Sequence, residues 1–191
     1  MTKKFIALIP AKNFSSGVPK KNFLKINQIE TIAISINAAK KCKKIDDIFV
    51  STDSKKILKI SRKYGVKVIQ RPEFLCRDHI KLEDVILHAI KSKINHLYQD
   101  FNLVLLQPTS ILRDKNDILS AINLFKRNNY DSLFSAVNLH PLFWEEKKGK
   151  INPINYKLGS RLNRQNMSNF LIENGSIYIF KKNIIEKKKI D

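Results

Sequence analysis

The strongest constraint on this chain is a pair of short, nearly unbroken apolar runs, Lys4-Phe-Ile-Ala-Leu-Ile9 and Phe101-Asn-Leu-Val-Leu-Leu106. Successive side chains of a strand point to opposite faces, so a run that is apolar at almost every position needs cover on both sides. Strands inside a parallel sheet, with helices on either face, meet that need. The first run ends at Pro10 and meets Lys12, too short for a signal peptide, and no window approaches the roughly 18 apolar residues that span a bilayer. A cytoplasmic protein without a membrane partner is therefore expected.

The intervening segments supply the helices. Thr31 to Lys44 places Ile32, Ile36 and Ala39 at helical spacing and gathers lysines at its end, where cations suit the helix dipole. Asp46 to Asp53 reads as a second strand. Ser54 to Tyr64 carries Ile57, Ile60 and Tyr64 on one face and closes at Gly65, a left-handed cap, before a third strand at Val66-Lys-Val-Ile69. Helices are expected from about Glu83 to Tyr98 and from Asp117 to Lys126, and strands at Ser132 to Val137 and Gly175 to Phe180. This alternation predicts right-handed crossovers and a doubly wound, mostly parallel, Rossmann-like α/β sheet. Ligands of such sheets sit outside the carboxyl ends of the strands.

One domain is expected over 1–191, with the irregular stretch 138–172 as an extension, since long irregular stretches in compact domains are usually functional or interfacial. Trp144, beside Pro141 and Phe143, suits either a subunit interface or the core.

Charge brings in a competing idea. The net charge is +19 in a chain that is 43% hydrophobic, and clustered cations bind nucleic-acid backbones. Of 36 cations, however, 29 are Lys, alongside 27 Ile and 18 Asn, the mixture that A/T-rich codons produce. The lysines are scattered as pairs, so solvated helix faces explain them and no nucleic-acid partner is expected. Cys42 and Cys76 have no Cys-x-x-Cys spacing, which indicates neither a disulfide framework nor a zinc site. No His pairs with a nucleophile at a recognisable spacing.

Three polar clusters fall just after strands. Ile9 to Asn22 presents Lys12, Ser15, Ser16, Gly17, Lys20, Lys21 and Asn22, and a loop of N–H groups, hydroxyls and ammonium ions is one way to hold a polyphosphate. It is neither a Walker loop nor Gly-x-Gly-x-x-Gly, and taken alone it reads equally as a solvated basic loop. Arg71-Pro72 with Asp78 follows the third strand. Gln107, Thr109, Ser110 and Arg113 follow the Phe101 strand, where a Pro turn also serves simply to end it.

Together these segments resemble the acylneuraminate cytidylyltransferase family, the synthetases of CMP-activated sialic, legionaminic and pseudaminic acids. Ile9 to Asn22 is similar to the family's Ile-Pro-Ala-Arg-x-x-Ser-Lys-x-(Ile or Leu)-Pro-x-Lys-Asn. Val50-Ser-Thr-Asp53, Tyr64-Gly65, Arg71-Pro72, Val85-Ile-Leu-His-Ala89, Leu105-Leu-Gln-Pro-Thr-Ser110 with Leu112-Arg113, and Glu173-Asn-Gly-Ser-Ile-Tyr-Ile179 follow in order. The resemblance implies a nucleotide-diphospho-sugar transferase-like fold and transfer of CMP from CTP to an acidic 2-keto sugar for surface glycans. It implies Mg²⁺ and a homodimer built through the 138–172 extension. Lys12 and Lys21 fall on catalytic positions; Ala11, Lys12, Ser15, Ser16, Gly17, Lys21, Asn22 and Arg71 on nucleotide-binding ones; Gln107, Arg164 and Asn174 on the sugar side.

The chain departs from the pattern at Lys12 for the family's Arg, which removes a bidentate fork, and at Ser16 for its Lys, with Lys20 as a nearby substitute. Ile172 stands where many relatives carry Arg, and Leu82 where they often carry a small hydroxyl residue. The family's later Asp-x-Asp element is absent before Asp191, so the carboxyl end is expected to be truncated and the metal ligands stay unassigned. A homologue that binds CTP without turnover is the alternative expectation.

Overall fold

A computed structural model describes residues 3–14 and 17–187. The first apolar run forms β1 (Lys4–Pro10), with Phe5 through Ile9 buried. After a 3-10 turn at Lys21–Phe23 comes a small hairpin, β2 (Lys25–Ile26) and β3 (Ile29–Glu30). Asn27 and Gln28 turn it at φ 48° and 66°, the doubly left-handed turn whose twist matches paired strands. Next are α1 (Thr31–Lys41), β4 (Asp47–Thr52), α2 (Lys55–Lys63) and β5 (Lys67–Gln70). Ser54 caps α2 by accepting from the Ile57 N–H, and Gly65 leaves it at φ +68°.

α3 (Leu82–Ala89) passes through a π-helical turn at Ile90–Ile94 into α4 (Asn95–Leu97). The second apolar run is β6 (Phe101–Leu106), buried throughout, and α5 (Lys115–Arg127) starts at a reciprocal Asp114–Asp117 capping box. β7 (Ser132–Leu139), β8 (Trp144–Lys147), β9 (Lys150–Pro153), β10 (Phe170–Lys181) and α6 (Lys182–Lys187) complete the order. Among the described residues no helix is long and apolar enough to cross a membrane.

The main sheet runs β5-β4-β1-β6-β10-β7. β1 pairs in parallel with β4 and β6, β4 with β5, and β10 lies antiparallel to β6 with Tyr178 opposite Leu105. The doubly wound, mostly parallel α/β sheet expected from the sequence is present. Alternation along β1 divides the core: Phe5, Ala7 and Ile9 meet α1, α2 and α5 on one face, while Ile6 and Leu8 meet α3, the π turn and α6 on the other. Chain order reverses between β1 and β6, and a crevice opens at such a switch point beyond the strands' carboxyl ends.

The chain divides into two compact units, the second being Ala136–Asn174. Within it β8 and β9 form an antiparallel ribbon, Trp144 opposite Pro153, turned by Lys148 and Gly149 at φ 51° and 75°. The Asn155 amide ties its base, accepting from the Phe143 N–H and donating to the Pro141 carbonyl, each at 2.9 Å. Trp144 is 48% exposed and meets Tyr156 edge-on, so it is not a core side chain of this unit. The stretch expected to be irregular thus holds a ribbon, whose polar strands carry no apolar alternation to reveal it.

Candidate active site

β1 delivers Ala11 and Lys12 to the switch point. The Ala11 N–H donates to the Ser51 carbonyl at 2.9 Å and the residue is wholly buried, so Lys12 is the first side chain free to leave the sheet. Its ammonium meets Asp78 Oδ1 at 2.6 Å and the Cys76 carbonyl at 3.5 Å. Asn22, 3% exposed, donates from Nδ2 to the Lys12 carbonyl at 2.8 Å, while its Oδ1 is buried and without a hydrogen-bond partner among the described residues. The Thr31 hydroxyl, at the start of α1, donates to the Lys21 carbonyl at 2.7 Å and pins the turn that carries Lys21.

β5 delivers Arg71. Its backbone N–H donates to the Thr52 carbonyl at 2.8 Å, and its guanidinium donates to the Ser51 hydroxyl at 3.2 Å and the Ser51 carbonyl at 2.8 Å. Burial pushes the Arg71 pKa down, opposed by the nearby Cys76 and Asp53. Burial, and then the Arg71 charge, lower the pKa of His88 on α3. β6 delivers Gln107, Pro108 and Thr109, a turn in which the Ser110 N–H donates back to the Gln107 carbonyl at 3.3 Å.

These strand ends enclose a cavity of about 190 Å³. Lys12, Lys21, Arg71 and Arg77 give it four cationic side chains; Asn22, Gln107 and Thr109 add polar ones; Leu75, Ile80, Leu82 and Val85 form an apolar wall. Cations beside an apolar wall suit a ligand that joins a polyanion to a flat ring.

Of the residues singled out by sequence, Lys12, Lys21, Asn22, Arg71 and Gln107 line this one cavity, and Ala11 is buried at the foot of the Lys12 strand end. Gly17 is exposed and, like Lys20, is not among the lining residues. Ser15, Ser16 and Asp191 lie outside the described residues. Arg164 belongs to the second unit, where a 3-10 turn places it on a cavity of about 540 Å³ shared with Asn138, Arg161 and Met167. Asn174 ends that unit on β10. Arg77 went unnoticed in the sequence because it follows a 3-10 turn in a stretch without periodicity.

No three His, Cys, Asp or Glu side chains are grouped to hold a metal among the described residues. Asp78 is engaged by Lys12, and Asp53 accepts from the Asn13 N–H at 2.7 Å. These residues do not make a protein cage for Mg²⁺.

Comparison with known proteins agrees with this architecture. Over 95% of its length the chain is 35% identical to "Post-translational flagellin modification protein B" of Campylobacter coli, covering 79% of that protein. Over the same share it is 31% identical to "N-acylneuraminate cytidylyltransferase A" of Danio rerio, of which it spans only 42%. Among solved structures, a CMP:2-keto-3-deoxy-manno-octonic acid synthetase complexed with CTP superposes with a TM-score of 0.72 at 14% identity, over 97% of this chain and 77% of that one. A cytidylyltransferase from Leptospira borgpetersenii superposes with a TM-score of 0.60 at 18% identity, over 97% and 63% of the two chains. A family model described as "Cytidylyltransferase" matches residues 6–187, so the chain belongs to the cytidylyltransferase family.

Proposed function

We propose that this chain transfers CMP from CTP to a nonulosonic, sialic-acid-like sugar acid, releasing pyrophosphate, as a step in making surface glycans. The observation that carries the reading is the switch-point cavity, where four cationic side chains face an apolar wall in a chain similar to N-acylneuraminate cytidylyltransferases.

In the proposed reaction the anomeric hydroxyl oxygen forms a bond to the α-phosphorus and gives up its proton to solvent water. The bond from the α-phosphorus to the bridging oxygen breaks, and pyrophosphate leaves with that electron pair. Such transfers depend on positioning and charge neutralisation. Lys12 and Lys21 hold the triphosphate, with Lys12 exchanging Asp78 for a phosphate oxygen. Arg71 adds fixed positive charge from the floor of the cavity.

Asn22, which lines the cavity beside Lys12 and Lys21, serves the ribose. The backbone beyond Ala11 approaches the base, with Gly17 and the serines beside it on the phosphates. Gln107 serves the sugar acid. Mg²⁺ would add charge neutralisation for the triphosphate, and the described residues group no carboxylates to hold it. A homodimer, formed through the second unit, is part of the same reading.

Purified protein mixed with CTP, Mg²⁺ and a panel of sialic, legionaminic, pseudaminic and 3-deoxy-octulosonic acids tests it by pyrophosphate release. Turnover with a nine-carbon acid is expected, and no release with any of the panel overturns the proposal.

A further inference from the structure

Arg113 is 5% exposed, yet it forms no ion pair among the described residues. Asp117 acts on it only through space, so the buried cation is expensive and its position is held only where hydrogen bonds compensate. Here they join three separate elements. Nη1 donates to the Gln107 carbonyl at 3.1 Å and to the Ser176 carbonyl at 2.7 Å, and Nη2 donates to the Ser35 hydroxyl at 2.9 Å. The turn after β6, the strand β10 and the helix α1 therefore converge on one guanidinium.

The clamp lies directly behind a side chain of the cavity. Gly175, next to Ser176, has φ +68°, and a Cβ built there would stand 3.5 Å from Gln107 Oε1 and 3.6 Å from its Nε2. The Gln107 amide therefore packs over the backbone at Gly175 while its own carbonyl is tied to Ser176 through Arg113. The Gln107 carbonyl is thus tied to β10, and its amide lies beside the same strand. Lysine lacks the planar fork that reaches several acceptors at once.

We infer that Arg113 is a positioning residue for the acceptor: by clamping the Gln107 turn to β10 and α1, it holds the Gln107 amide toward the sugar-acid side of the cavity without touching substrate. This rests on the proposed cytidylyltransferase reaction, with Gln107 on the acceptor side.

The test uses the full chain with Arg113→Met, Arg113→Lys, Ser35→Ala and Gln107→Ala, reading CTP Kd by calorimetry, acceptor KM and kcat by pyrophosphate release, and hydrogen exchange over 107–110. Arg113→Met and Arg113→Lys should each raise acceptor KM about tenfold with CTP Kd held within about twofold. Ser35→Ala, which removes one of the three bonds, should raise it about two- to threefold. Arg113→Met should add little to Gln107→Ala. Amide exchange at 107–110 should quicken in the Arg113 variants whatever the turnover. An Arg113→Lys enzyme with the parental KM and exchange overturns the inference, as does a parallel loss of CTP and acceptor affinity. Should Arg113→Met fail to fold, Arg113→Lys and Ser35→Ala still decide it. A parental enzyme inactive on every acid sinks the functional reading instead, while unchanged exchange sinks the clamp.

Discussion

The ion pair between Lys12 and Asp78 makes the charge of the cavity measurable. Its 2.6 Å contact joins side chains that are 25% and 56% exposed, so solvent screens it, and pairs of that kind are worth about 0.2–1 kcal/mol. A triphosphate that takes the Lys12 ammonium competes with Asp78 for it. Asp78→Asn should therefore tighten CTP binding in two ways, by freeing Lys12 and by removing a carboxylate that repels the phosphates. Lys12→Met, which forfeits a charge-assisted contact of about 1.5–3 kcal/mol, should weaken binding roughly 10- to 150-fold.

The double variant separates the two effects of Asp78, because direct repulsion persists without Lys12 whereas release of Lys12 does not. The gain from Asp78→Asn should thus be larger in the parental background than in Lys12→Met, by about 1.4- to 5-fold. Calorimetry with CTP in EDTA at low ionic strength keeps divalent cations out of the comparison, and added salt should shrink the difference. Equal gains in the two backgrounds, or weaker binding in Asp78→Asn, would refute the assignment of Lys12 to the triphosphate.

Gly175→Ala places a side chain at φ +68°, a conformation that costs an L-residue about 1–2 kcal/mol, and should lower Tm by roughly 2–8 °C in a chain of this size. The new methyl would meet Gln107 only at van der Waals distance, so calorimetric CTP Kd should be unchanged; an unchanged Tm contradicts the strain argument. His88, whose buried Nδ1 has no partner among the described residues, has its pKa lowered by burial and then by Arg71. A lowered folded value means the unfolded state binds the extra proton first, so this contribution to stability is present above about pH 6.5 and is lost as pH falls through the folded value. Urea midpoints between pH 7.5 and 5 should fall less steeply in His88→Gln than in the parent, and parallel curves would reject the effect.

Much of the site was legible because it follows from strands that are themselves legible. Continuous apolar runs at β1 and β6 identify buried strands, and the side chains immediately beyond strand ends, Lys12, Arg71 and Gln107, reach the same cavity. What stayed hidden depends on tertiary contacts. The strands β2 and β3 are two residues each, and their turn uses non-glycine residues at positive φ. The π turn keeps Ile86, Ala89, Ile90 and Ile94 on the buried side, so the apolar spacing reads as an ordinary helix. At Leu112-Arg113 hydropathy points the wrong way: Leu112 is 93% exposed and Arg113 is 5% exposed, because the guanidinium finds three acceptors in the interior and the leucine finds no apolar wall.

The same contacts change the meaning of the +19 charge. Surface lysines further than about 8 Å from a ligand are largely screened at physiological salt, so their number says little about binding at the switch point. Position and neutralisation matter more. Arg71 and Arg113 are held by carbonyl and hydroxyl oxygens of Ser51, Gln107, Ser176 and Ser35 rather than by carboxylates, and such acceptors anchor a cation without cancelling its charge. Among the described cations of the cavity, Lys12 is the one in an ion pair, with the exposed Asp78. Of the two arginines, Arg71 lines the cavity as a buried charge, with Asp53 acting on it only through space, while Lys12, at the rim, keeps a carboxylate that an incoming polyanion can replace. That division, with fixed charge in the floor and exchangeable charge at the lip, follows from which strand each residue terminates and not from how basic the chain is.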